Sequence, residues 1–139
     1  MIDFNHQLCR SYVYLKNIFP NANHIFPNDI KLINNFNKIK NGSILYVKAS
    51  DFNLIENIKV DLVTNFFSFG EMKKEFFLEY YNSQYIKNSN YIYLVNRFVS
   101  SPFFEKTFDS DLNIFDYLNE THEKIYFDIF PIHHYENIK

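Results

Sequence analysis

Apolar positions near the start of the chain fall at helical spacing. In "NHQLCRSYVYLKNIF" (residues 5 to 19), Leu8, Tyr12, Leu15 and Phe19 are separated by four, three and four residues. That spacing lines one face of an amphipathic helix, which Pro20 and Asn21 end. "NHIF" reads as a short strand. "NDIKLINNFNKIK" predicts a second helix, capped by Asn28 or Asp29 and followed by Gly42. "SILYVK" (43 to 48) is a compact β-rich run, and "ASDFNLIEN" is a loop with a short helical turn.

The strongest strand signal is "VDLVTNFF" (60 to 67), apolar on both faces, as a strand between layers of helices has to be. The strongest helix signal follows it. In "EMKKEFFLEYYNSQYIKNS" (71 to 89), Met72, Phe76 and Tyr80 recur at every fourth position, with Phe77, Tyr81 and Tyr85 beside them. "YIYLVNRF" (91 to 98) predicts another strand, and "DSDLNIFDYLNE" (109 to 120) a helix with an Asp or Ser cap. "KIYFDIFPI" (124 to 132) closes as an edge strand with Pro131 near its end. Strands alternating with helices imply an α/β fold with a mostly parallel sheet and right-handed crossovers. No repeat, linker or low-complexity block interrupts it, so residues 1–139 are expected to form a single domain.

Composition narrows the function classes. A chain of 139 residues suits one core and buries roughly two thirds of its unfolded surface. The formal charge of −2, with Lys scattered among Asp and Glu, gives no field that gathers phosphates, so nucleic acid is not an expected partner. No apolar run reaches the length of a membrane span, and "MIDFNHQLCR" lacks the basic flank and apolar core of a signal peptide. The expectation is therefore a cytoplasmic protein with no membrane partner. Cys9 is the sole cysteine, which excludes an intrachain disulfide or a Cys-based zinc cluster and predicts a buried small hydrophobe in the first helix. His133 and His134 are adjacent; strand neighbours point to opposite faces, so no metal site is expected of them.

Ligands of open parallel sheets lie beyond the carboxyl ends of the strands. Standing there are Asp3 after "MI", Ser50 and Asp51 after "ILYVKA", Asn65, Ser68 and Glu71 after "VDLVT", and Asn96 with Arg97 after "YIYLV". Four successive strand ends each deliver polar groups. Each residue also has a purely structural use: Asp51 as a cap of the turn that follows, Ser68 as a cap of the helix beginning near Glu71, Asn65 as a tie for its own loop.

"VDLVTNFFSFGEM", a long helix and then "YIYLVNRF" together resemble the second half of class I S-adenosylmethionine-dependent methyltransferases, more narrowly the sugar O-methyltransferase family. A D-L-V-I-N-x-x-S-F-x-E-M segment at the fourth strand and a V-N-R segment at the fifth carry the likeness, at Asp61 to Met72 and Val95 to Arg97 here. "IDFNHQLCRSYVYLKNIFPNA" is similar to the end of the family's second strand and its helix, and "ILYVKASDF" to the third strand and the loop beside the adenine. The resemblance implies a partial Rossmann-like sheet, S-adenosylmethionine as cofactor, and a sugar or glycan hydroxyl as methyl acceptor. By the same resemblance Asp3 accepts from the ribose hydroxyls and Ser50 and Asp51 flank the adenine. Asn65 and Ser68 orient cofactor or substrate, Glu71 is the base, and Asn96 and Arg97 meet the substrate.

The family's glycine-rich cofactor turn has no counterpart here, because Gly42 and Gly70 are the chain's glycines and stand elsewhere. Glycine lets that backbone approach the methionine end of the cofactor with no Cβ in the way. The resemblance thus begins inside the second strand, without the first strand that is central in the family's sheet. Two repairs are expected: either "SILYVK" pairs directly with "VDLVTNFF", or another chain fills the gap, since an open strand this apolar invites aggregation. The functional expectation is a methyltransferase-family domain, impaired or inactive as an isolated chain. A non-catalytic interaction module or split-protein subunit is the alternative.

Overall fold

The computed structural model describes residues 1–55, 57–97, 99–100, 112–118 and 120–128. It is a mixed α/β structure of short strand pairs, three parallel and one antiparallel, in agreement with the expected class. The chain divides into two compact units, Met1–Ile58 and Lys59–Lys139. Among the described residues, no helix is long and apolar enough to cross a membrane.

The first unit begins with β1 (Ile2–Asp3) and α1 (Asn5–Ile18). Leu8 of the predicted apolar row is buried, whereas Cys9 is exposed, which corrects the expectation for the thiol. It belongs to the opposite side of the helix with Val13 and Tyr14, also exposed. The Phe19 amide bonds the Leu15 carbonyl and Lys16 Nζ bonds the Pro20 carbonyl at 2.7 Å, which ties the chain leaving α1 back onto its last turn. Next come β2 (Asn23–Ile25) and one turn of helix, α2 (Pro27–Ile30). Pro27 suits the first helical position, and Asp29 Oδ2 accepts the Phe26 amide at 3.2 Å.

The helix predicted over "NDIKLINNFNKIK" stops after that turn. Asn35 is extended at φ −150°, and its Oδ1 takes the Asn37 amide at 2.9 Å to start a separate 3-10 turn, Phe36–Lys38. Asparagine side chains compete for backbone groups in this way, and the local bond outweighs a weak helical preference. Gly42 follows with φ +80°, a left-handed conformation that lets the Ser43 amide return to the Lys40 carbonyl. A Cβ at Gly42 meets no atom within 4 Å, so Gly42→Ala isolates the backbone strain. The expected loss of stability is about 1–2 kcal/mol, read by urea unfolding; an unchanged midpoint contradicts it.

The run 43–48 then serves two partners. Its first part, β3 (Ser43–Leu45), pairs parallel with β2, and the Tyr46 amide extends this ladder to the Ile25 carbonyl. Its second part, β4 (Val47–Lys48), pairs parallel with β1, and the Val47 amide bonds the Met1 carbonyl. Tyr46 and Val47, 1% and 2% exposed, are core residues of this run. Tyr12, His24, Phe26 and Tyr46 pack as an aromatic cluster with ring centroids 5.0–6.0 Å apart, and His24 Nδ1 lies 2.8 Å from the Tyr46 hydroxyl. Burial, with Tyr12 second, pushes the Tyr46 phenol up.

In the second unit, β5 (Leu62–Phe66) pairs parallel with β6 (Tyr91–Val95), from Leu62 opposite Tyr91 to Phe66 opposite Val95. Among the described residues β5 has no ladder partner other than β6. Nor is β5 covered on both faces: Leu62 and Phe66 are 53% and 57% exposed, as are Tyr91 and Tyr93 to a similar degree. The long helix expected over 71–89 is three pieces. A 3-10 turn, Ser68–Glu71, precedes α3 (Lys74–Tyr81) and α4 (Gln84–Lys87). The break falls where Ser83 turns extended and its hydroxyl bonds the Tyr80 carbonyl at 2.5 Å.

Of the two helical rows, Phe77, Tyr81 and Tyr85 are the buried one, while Phe76 is 51% exposed. Phe77 is the centre of this core, edge-on to Phe69 and Tyr117 and stacked on Tyr81. The antiparallel pair β7 (Val99–Ser100) and β8 (Leu112–Asn113) follows, then a 3-10 turn, Ile114–Tyr117, which replaces the helix predicted there. Residues 109–111 and 119 of that expected helix, 129–132 of the expected last strand, and His133 and His134 lie outside the described residues. Lys124–Asp128, the described part of that expected strand, is not assigned to a strand.

Reciprocal bonds cap the second of these 3-10 turns: Asn113 Oδ1 takes the Phe115 amide and Asp116 Oδ2 takes the Asn113 amide, both at 2.9 Å. Lys74 Nζ lies 2.9 Å from Asp116 Oδ1 and joins the turn to α3. Partial burial pushes the Asp116 carboxyl up, but the Asn113 amide and the Lys74 ammonium together outweigh it and hold the group below its ordinary value of 3.8. A depressed carboxyl contributes stability that is complete above its unfolded value and is lost as pH falls through the folded one. Acid unfolding of the second unit is therefore expected to steepen below pH 3.8, and Asp116→Asn to remove that part of the curve. An Asp116→Asn profile that overlays the parent refutes the assignment.

Candidate functional site

Parallel pairing sets the exits of neighbouring strands side by side, and the sequence-predicted residues fall into two groups by unit. In the first unit Asp3 ends β1 opposite Lys48 of β4, and Ala49–Ile55, a 3-10 segment carrying Ser50 and Asp51, leaves β4 directly. Asp3 Oδ1 accepts the Phe4 amide at 2.7 Å, at the entry to α1. The exposed Ser50 hydroxyl donates to Asp51 Oδ1 at 3.2 Å, and Asp51 Oδ2 lies 3.3 Å from Lys31 Nζ. With the Asp51 side chain 20% exposed and that of Lys31 52% exposed, the lysine neutralises a carboxylate set deeper than itself.

In the second unit β5 and β6 leave their ladder together, and a small polar network closes the gap between their ends. Asn65 is 8% exposed. Its Nδ2 donates to the Ser68 hydroxyl at 2.5 Å, and its Oδ1 accepts both the Phe69 amide at 3.2 Å and Asn96 Nδ2 at 3.3 Å. Between them Phe67 is left-handed, φ 63° and ψ −23°, while its amide reaches across to the Val95 carbonyl at 2.7 Å. A left-handed conformation costs a residue with a Cβ about 1–2 kcal/mol, so the ladder bond and the Asn65 bonds hold this turn against its own preference. The 3-10 turn Ser68–Glu71 starts from that fixed point.

This geometry separates positioning residues from reachable ones. Ser68 and Asn96 both bond Asn65, so Asn65 is a tie for its own loop, the structural use open to it from the sequence. Asn96 Oδ1 is buried and has no hydrogen-bond partner. Glu71 and Arg97 are exposed and have no hydrogen bond or ion pair among the described residues. An exposed carboxylate can accept a proton or a hydroxyl hydrogen bond, and a guanidinium can bind an anion or donate to hydroxyls. Among the described residues, no group of three or more His, Cys, Asp and Glu could hold a metal ion.

Sequence reasoning missed Phe67 as the pivot. Phenylalanine carries no signal for a positive φ, which glycine or asparagine would have given. The Asn65–Asn96 bond, by contrast, was within reach, since Asn65 stands near the end of β5 and Asn96 directly follows β6, and the two strands adjoin. Comparison of the chain with known protein families, with curated proteins and with solved structures finds no match.

Proposed function

We propose that these residues are the acceptor-side part of a sugar O-methyltransferase-like domain. On this reading the chain engages S-adenosylmethionine only when a second segment supplies the glycine-rich turn. The observation that carries the reading is the joint exit of β5 and β6, where the Asn65–Ser68–Asn96 network fixes a turn that ends at Glu71 and adjoins Arg97. Crevices at the carboxyl ends of parallel strands are where α/β sheets bind ligands.

The donor set fits one end of that cofactor and not the other. Asp3 spends Oδ1 on the Phe4 amide and keeps Oδ2 for a ribose hydroxyl. Among the described residues none suits the methionine end: Gly42 shapes the turn that feeds β3, and Gly70 is buried inside the 3-10 turn after β5. Methyl transfer by these residues alone is not expected. On this reading Glu71 takes the proton from a sugar hydroxyl and Arg97 holds the sugar.

Isothermal calorimetry with S-adenosylmethionine tests the reading in two arms. The chain alone is expected to show no micromolar binding. Mixed with the strand–turn–helix that begins a sugar O-methyltransferase, it is expected to bind the cofactor and to methylate a sugar acceptor. Micromolar binding by the chain alone overturns the requirement for a second segment, and a folded mixture that still binds nothing overturns the methyltransferase reading.

A second reading, a non-catalytic module paired with a companion chain, draws on the edge of β5 that no described residue pairs with. With residues 61, 63, 65 and 67 facing β6, the amides of Leu62, Thr64 and Phe66 point to the other edge. Hydrogen exchange in the same mixture separates the readings: protection of those three amides without cofactor binding favours the module, and no protection excludes it.

A further inference from the structure

We draw no further inference here: the strongest candidate, the apolar face of the β5–β6 pair bearing Leu62, Phe66, Tyr91 and Tyr93, is exposed, and beyond the companion strand of the second reading nothing in the structure shows what covers it.

Discussion

Phe77→Ala is expected to cost the second unit about 3–5 kcal/mol, a large fraction of the stability of an ordinary small domain. The side chain is 0% exposed and touches three aromatic rings from three different elements. Phe69 comes from the 3-10 turn after β5, Tyr81 from the last turn of α3, and Tyr117 from the 3-10 turn after β8. Truncation leaves a cavity that these rings cannot close without moving. Tyr81 is further held by its hydroxyl, which donates to the Tyr117 carbonyl. Phe77→Leu, which keeps most of the volume, is expected to lose much less. Denaturant unfolding of both variants checks this, with near-ultraviolet circular dichroism reporting the tyrosine packing. Equal losses for alanine and leucine, or a loss for alanine no larger than that of the exposed neighbour Phe76→Ala, contradict the assignment of Phe77 as the centre of the core.

The same pair of residues shows what the sequence could and could not say. Periodicity placed a helix there, and α3 exists, but Phe76 and Phe77 belong to adjacent apolar rows that a composition-blind wheel treats alike. The choice between them is made by what lies opposite, chiefly Phe69 and Tyr117, which are distant in sequence. α1, β2, β5 and β6 were legible because spacing, flanking residues and length agreed with one another. The helices expected over 28–40 and 109–120 failed for a common reason. Each stretch holds an asparagine, Asn35 or Asn113, whose side chain takes an amide two residues on and starts a 3-10 turn instead. The strand 43–48 was legible as extended chain, but not its division between β1 and β2, because nothing in "SILYVK" names its partners.

Of the candidate site, the positions of the polar groups at strand exits were readable and their uses were not, and Asn65 gives the sharpest test of that difference. Asn65→Ala is expected to lower the stability of the second unit by about 2–4 kcal/mol, because it removes three bonds and strands a donor, the Phe69 amide, that is buried with its residue. It also releases Phe67 from one of the constraints that hold it left-handed. Amide exchange gives the decisive readout: protection at Phe69 is expected to collapse in Asn65→Ala, while the β5–β6 ladder amides away from the turn keep theirs. Ser68→Ala removes a single acceptor and is expected to cost about 1 kcal/mol with Phe69 still protected. If Phe69 stays protected in Asn65→Ala, the side chain is not the tie that the hydrogen bonds describe, and Asn65 is free to meet a ligand directly. If protection is lost, ligand contact at this exit falls to Glu71 and Arg97, and Glu71→Gln and Arg97→Ala should leave unfolding midpoints nearly unchanged, since both side chains are exposed and bond nothing in the described structure.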